Sequence, residues 1–295
     1  MQRLVATGAA VALAVGLASC GSGDPLQSGD GGQGGPIVIG SADIAESELL
    51  MHIYGEALET TGAQVELKPR IGSREVYFNA ARDGELSVVP DYTGNLLEFV
   101  NDSATSTEPG PVYEELQRSL PPELDVLDYS PAEDSDVLTV TAETAGTGIR
   151  SLEDLGPRCG EFVLGAPSEW KQRWETQIAE TYGCTFREIR SVEAGTALVD
   201  ELTSGNIQVA NLFTTSSTIE ANNLVPLEDP KSMFPAQNVV PLVGKDKLSP
   251  EQVEVLNTVS RTLTTQKLTD LNKRLEVDKA NPADVAKTFV QEAGL

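Results

Sequence analysis

Histidine, aromatic side chains and cations are all scarce in this chain. One histidine, His52, stands among 295 residues, and Phe, Trp and Tyr together make up 5%. His52 falls inside a helically spaced apolar segment, where a solvated or packed imidazole is the ordinary role. A histidine-based enzyme therefore has little to build on, and neither G-x-S-x-G nor a Walker loop occurs. No Cys-x-x-Cys or Cys/His spacing suggests a metal site, and nothing calls for a cofactor. Lys and Arg number 21 against 45 Asp and Glu, giving a formal net charge of −24. That balance argues against nucleic acid or an anionic membrane surface as partner; it keeps a protein soluble and draws cationic ligands weakly.

What is present begins with an apolar run from Leu4 to Leu17, preceded by Arg3. It is too short and too alanine-rich for a comfortable membrane span, so residues 1–20 read as an export signal. The run ends Leu17-Ala18-Ser19-Cys20, and small residues directly before a cysteine resemble the lipidation site of a bacterial lipoprotein. Residues 21–36 are rich in Gly, Ser and Asp. They read as a tether with a random-coil end-to-end distance on the order of 20 Å. The expected protein is exported, held to the outer face of the cytoplasmic membrane through Cys20, and otherwise monomeric. In that compartment Cys159 and Cys184 read as a disulfide, each preceding a strand-like run, "EFVLGAP" and "TFREI"; two free buried thiols are the alternative.

The chain contains itself twice. From Ile37 it runs "IVIGSADIAESELL…VELKPRIGSREVYFNAARDGELSVVPDYTG"; from Phe162 it runs "FVLGAPSEWKQRW…TFREIRSVEAGTALVDELTSGNIQVANLFTT". Each copy alternates short β-rich runs with helical periods, and Gly62, Gly84, Gly183 and Gly205 stand where helix ends belong. Such βαβαβ units make two α/β lobes with parallel strands. Two extended runs near Asp136–Ala145 and Phe234–Gly244 cross between them. From Ser249 the chain is helical, with start signals at Ser249-Pro250 and Asn281-Pro282. The expected partition is lobe one over 37–140 plus 240–295 and lobe two over 141–239.

Ligands bind beyond the carboxyl ends of strands in open α/β sheets. Asp91-Tyr92-Thr93-Gly94 stands at such an end in lobe one, and Phe213-Thr214-Thr215 at the matching end in lobe two. Tyr92, Thr93, Phe213 and Thr214 are therefore candidate site residues, with both aromatics expected to face one cleft. Each has a plainer reading: Tyr92 as a core tyrosine, Phe213 as a packed strand residue. Trp170 is either a cleft wall or a residue at a helix start. Arg74 reads as a surface position, although it stands where it could meet a carboxylate.

The strings "GSADIAESELL", "GELSVVPDYTG", "FVLGAPSEW", "LEDPKSMFPAQNVVPLV" and the tail from Leu263 resemble the substrate-binding lipoproteins of ABC transporters for glycine betaine, choline, carnitine and related osmoprotectants. The resemblance covers nearly all of Ile37–Leu295. It implies the two-lobed type II periplasmic-binding fold and a small-molecule solute in the cleft. It also implies delivery to a permease and ATPase rather than catalysis. In that family a cage of aromatic faces holds the quaternary ammonium. Matched by position, Tyr92 and Phe213 are cage members. Asp136 stands where the family has a tyrosine, and Glu46-Ser47 in "DIAES" where it has a Glu-Gln pair. Asp136 is then either a cation-attracting carboxylate or a solvated charge, and Glu46 either a ligand contact or an acid favoured in a first helical turn. The departures leave open a polyol or aromatic solute, or a sensor that transports nothing.

Overall fold

The computed structural model describes residues 35–295. Cys20, the export signal and most of the tether lie outside the described residues. Two five-stranded sheets organise the chain. The first contains β1 (Ile37–Gly40), β2 (Val65–Lys68), β3 (Val88–Tyr92), β4 (Leu124–Val126) and β10 (Val239–Gly244), in the order β2-β1-β3-β10-β4. The second contains β5 (Asp136–Thr141), β6 (Val163–Ala166), β7 (Glu188–Ser191), β8 (Val209–Phe213) and β9 (Leu224–Pro226), in the order β7-β6-β8-β5-β9. The internal repeat thus becomes two sheets of one topology. Three parallel strands lead in each, followed by one antiparallel strand that the chain reaches on crossing from the other lobe.

That topology corrects the expected boundary at residue 140. The expected partition places residues 136–140 in lobe one, but β5 hydrogen-bonds to β8 and β9 and so belongs to the second sheet. The first crossover is residues 127–135. Sheet pairing is a non-local choice, and the apolar run "DVLTV" carries no mark of which sheet it joins.

Helices α1 (Ala45–Glu59), α2 (Arg74–Arg82), α3 (Thr93–Val100) and α4 (Pro109–Ser119) belong to lobe one. Short α5 (Ala142–Gly146) and α6 (Leu152–Leu155), then α7 (Ser168–Tyr182), α8 (Thr196–Thr203) and α9 (Ser217–Ala221), belong to lobe two. The tail forms α10 (Pro250–Thr262), α11 (Thr265–Glu276) and α12 (Pro282–Glu292). Ser249 caps α10 in a reciprocal box with Gln252, and Asn281 caps α12, each accepting a backbone N–H that the first turn leaves free. The tail then returns to lobe one: Leu256, Val259, Leu268, Val285 and Phe289 share one buried cluster with Leu49, Ile53 and Leu58 of α1.

Lobe two has a separate core. Trp170, Trp174, Ile178 and Tyr182 recur every four residues along α7 and are all buried. The helix ends at Gly183, whose φ of 65° is the left-handed cap geometry that glycine adopts without steric cost. The chain turns there into Cys184, which is joined to Cys159 by a disulfide. Both cysteines lie at the entry to paired parallel strands, β6 and β7, which is the arrangement their positions implied. Closing a loop of that size contributes roughly 3 kcal/mol by the chain-entropy account.

Candidate functional site

The stretch Asp91–Gly94 has one task per residue. Asp91 is buried, and its carboxylate receives Arg74 Nη2 at 2.8 Å, the Tyr77 hydroxyl at 2.9 Å and the backbone N–H of Tyr92. Arg74 is therefore not a free surface residue. It opens α2 and folds over β3, because a buried carboxylate without a partner costs several kcal/mol. Thr93 is fully buried; its hydroxyl donates to Ala236 O at 3.2 Å and accepts from Asn238 N at 3.1 Å. Gly94 sits where a Cβ would lie 2.6 Å from Ala236 O, so only glycine lets α3 approach the second crossover so closely. Three of these residues thus brace the sheet and the crossover rather than touch a solute.

Tyr92 is also largely buried. Its hydroxyl donates to Glu46 Oε1 at 2.5 Å, and Asn272 of α11 donates to Glu46 Oε2 at 2.5 Å. Asn272 also lies 3.5 Å from Thr215 O, and the Thr215 hydroxyl donates to Asp134 of the first crossover at 2.5 Å. A polar run therefore crosses from lobe one to lobe two: Tyr92, Glu46, Asn272, Thr215, Asp134. Burial raises the Glu46 carboxyl above its usual range, and bonds from Tyr92 and Asn272 only partly offset this. Burial also raises Asp134 well above its usual range, and the Glu46 charge adds to the shift. Burial first, then Glu46, holds the Tyr92 phenol far above its ordinary value, so it remains a donor. Asn272, Thr215 and Asp134 were not legible as site residues; Asn272 and Glu46 are 226 positions apart.

At the matching end in lobe two, Phe213 is 39% exposed, unlike most large apolar side chains here. It lines a pocket of about 360 Å³ with Pro167, Ser168, Glu169, Ser191 and Glu193. Phe213 pairs directly with Asp136 across the antiparallel ladder, so the two side chains stand on one face of the sheet. Asp136 accepts from Asn211 Nδ2 at 2.8 Å, and Asn211 Oδ1 in turn accepts from Trp170 Nε1 at 3.0 Å. Burial raises the Asp136 carboxyl; Asn211 and the Arg173 charge pull it back, and Glu169 pushes it further up.

Three expected contacts take other roles. Trp170 is 2% exposed in the lobe-two core, so it offers no cleft wall and acts through Asn211. Ser47 is fully buried, its hydroxyl accepting Ala42 N at 3.0 Å to close the turn after β1. Thr214 donates to Glu133 O and accepts from Ser135 N, tying the end of β8 to the first crossover. The expectation that Tyr92 and Phe213 face one another across a cleft is likewise revised. Tyr92 sits within the polar seam, and Phe213 in the open pocket.

A carboxyl whose pKa is higher folded than unfolded holds its proton more tightly in the native state. Glu46 and Asp134 therefore favour folding most below about pH 4, and that contribution is lost as pH rises through their folded values. Urea unfolding from pH 4 to pH 8 should show Glu46→Gln losing less stability than the parent chain. Parallel curves for the two proteins would mean that Glu46 carries no unusual charge penalty.

The family described as the substrate binding domain of ABC-type glycine betaine transport systems matches residues 35–292. The glycine betaine-binding protein YehZ of Escherichia coli strain K12 is 28% identical over 291 residues, covering 92% of this chain and 93% of that protein. The carnitine transport binding protein OpuCC of Listeria monocytogenes is 23% identical over 266 residues, covering 87% and 86%. A crystal structure of a glycine betaine/carnitine/choline ABC transporter protein superposes with a TM-score of 0.80 at 23% identity, covering 88% of this chain and 98% of the other. With its two repeated sheets and a family match spanning both, the chain belongs to the substrate-binding domains of ABC-type glycine betaine transport systems, and it is a solute-binding component rather than an enzyme.

Proposed function

We propose that the chain captures a small solute bearing a quaternary ammonium and holds that cationic end at the Phe213–Asp136 corner. The observation that carries this reading is the composition of that corner. An exposed phenyl lines a pocket that presents Glu169 and Glu193 and, among the described residues, no Lys or Arg, and its register partner on the neighbouring strand is Asp136. A quaternary ammonium has no N–H to donate. It gains from an aromatic face and from nearby negative charge, which is what this wall offers. Glycine betaine and carnitine, named for the relatives above, are the solutes of this chemistry, and choline shares their ammonium group. Tyr92 and Glu46 support the cleft from the lobe-one side through the seam. The chain works outside the cytoplasm with permease and ATPase subunits.

Calorimetry with glycine betaine, carnitine and choline tests the site. Phe213→Ala should remove an aromatic face worth on the order of 1 kcal/mol, a loss of about fivefold in affinity. Asp136→Asn should weaken a cationic solute as well. Undiminished affinity in both variants would place the ammonium elsewhere. The same reading takes Cys20 as the point of lipid attachment: Cys20→Ala should move the protein from the membrane fraction to the medium, and a variant that stays with the membrane would reveal another anchor.

A further inference from the structure

Asn211 is the one polar residue of β8, Val-Ala-Asn-Leu-Phe, and it is 2% exposed. Alternation along the strand puts Val209, Asn211 and Phe213 on one face. Val209 packs in the lobe-two core with Trp170, and Phe213 opens into the pocket. Asn211 stands between them, where core gives way to corner. Across the ladder its register partner is Leu138, and Asp136, opposite Phe213, lies diagonally beside it. A buried amide in an apolar strand needs partners for both of its ends. It finds Trp170 Nε1 at 3.0 Å and Asp136 Oδ1 at 2.8 Å.

Those partners fix which way the amide points. An indole N–H can only donate, so it takes Asn211 Oδ1 and leaves Nδ2 turned toward β5. The relay therefore runs in one direction, from the Trp170 N–H through the amide to a carboxyl oxygen. A phenyl ring at position 170 would fill the core but leave the amide free to turn. The other groups facing Asp136 give no such direction. From α7 come the Arg173 and Glu169 charges, which act in opposite senses, and Trp174, which also bonds the carboxyl. From the first crossover comes Asp134, on which the Asp136 charge acts. Burial works against the ionised form of Asp136, and the bond from Asn211 is the largest influence in its favour.

We propose that Asn211 is a positioning residue for solute capture: oriented by Trp170, it aims the Asp136 carboxylate at the corner beside Phe213 and keeps it charged for the incoming ammonium. This rests on the reading that the ammonium end binds at Phe213 and Asp136. It deepens that reading by making the charge of the site depend on two core residues that stand behind the carboxylate. A hydrogen bond to the ionised form favours that form, whereas burial alone returns the proton. A neutral Asp136 would offer the ammonium a dipole in place of a charge, so the relay sets how far into acid the site keeps its affinity.

Calorimetry with glycine betaine and choline from pH 5 to pH 8 tests the proposal, because both solutes keep one charge state over that range. Asn211→Leu keeps the volume and removes the donor. The pH below which affinity falls should then move up by about one unit, the scale of one charge-assisted bond, so that the variant's loss grows as pH drops. Trp170→Phe frees the amide to turn and should move the profile the same way by less; it carries the test alone where Asn211→Leu does not fold. Asp136→Asn supplies the profile that Glu46, Asp134, Glu169 and Glu193 give without Asp136. A loss by one factor at every pH, or a profile that coincides with the parent's, would make Asn211 a packing residue. With Asp136→Asn still impaired, that result overturns this inference and leaves the proposed ammonium site standing. Undiminished affinity in Asp136→Asn, or failure of the parent chain to bind either solute, overturns this inference together with the part of the ammonium reading that rests on Asp136.

Discussion

Two threonine clamps fix everything else. Thr93, directly after β3, bonds both ways to the second crossover through Ala236 and Asn238. Thr214, directly after β8, bonds both ways to the first crossover through Glu133 and Ser135. Each clamp works because an antiparallel strand entering from the other lobe lies beside the third parallel strand. Val239, the first residue of β10, pairs with Tyr92, and Asp136, the first residue of β5, pairs with Phe213. The carboxyl ends where a solute would be met are thereby held at the hinge. A change in lobe angle must therefore act on the side chains there: Tyr92 and Glu46 on one flank, Phe213 and Asp136 on the other.

The electrostatics follow from that placement. Strands β3 and β5, helix α1 and the first crossover carry carboxylates into low-dielectric surroundings, and among the described residues few cations accompany them. Asp91 is the exception, satisfied by Arg74. Among the described residues the side-chain hydrogen-bond donors to Glu46, Asp134 and Asp136 are neutral: Tyr92, Asn272, Thr215, Asn211 and Trp174. Desolvated carboxyls without a paired cation bind protons more tightly, and they equally favour a positive group brought alongside. The net charge of −24 adds a uniform background to this, but the local arrangement of residues decides where a cation gains most.

Much of the fold was legible because it is written locally and twice. Alternating strand and helix periods gave the lobes, capping residues gave the tail helices, and export with two cysteines gave the bridge. The crossover at β5 was misassigned because pairing partners leave no trace in the strand itself. Trp170 carries a local signal of its core position. Extending the four-residue spacing of Ile178 and Tyr182 back through Trp174 reaches it, and that period places it in the core. The site was less legible. Glu46, Tyr92, Phe213 and Asp136 were visible as residues at strand and helix ends. Their settings depend on Asn272, Thr215, Asn211 and Arg173, which come from other elements and carry no local pattern.

The central claim is that a solute cation enters beside Asp136, a largely buried carboxyl that among the described residues is hydrogen-bonded by the neutral Asn211 and makes no ion pair. Proton exchange on binding measures this most directly. Calorimetry of glycine betaine binding near pH 5, repeated in buffers of different ionisation enthalpy, gives the number of protons moved. A cation settling beside Asp136 lowers its raised pKa, so the account predicts net proton release on binding. Binding with no proton exchange, or with proton uptake, would contradict it.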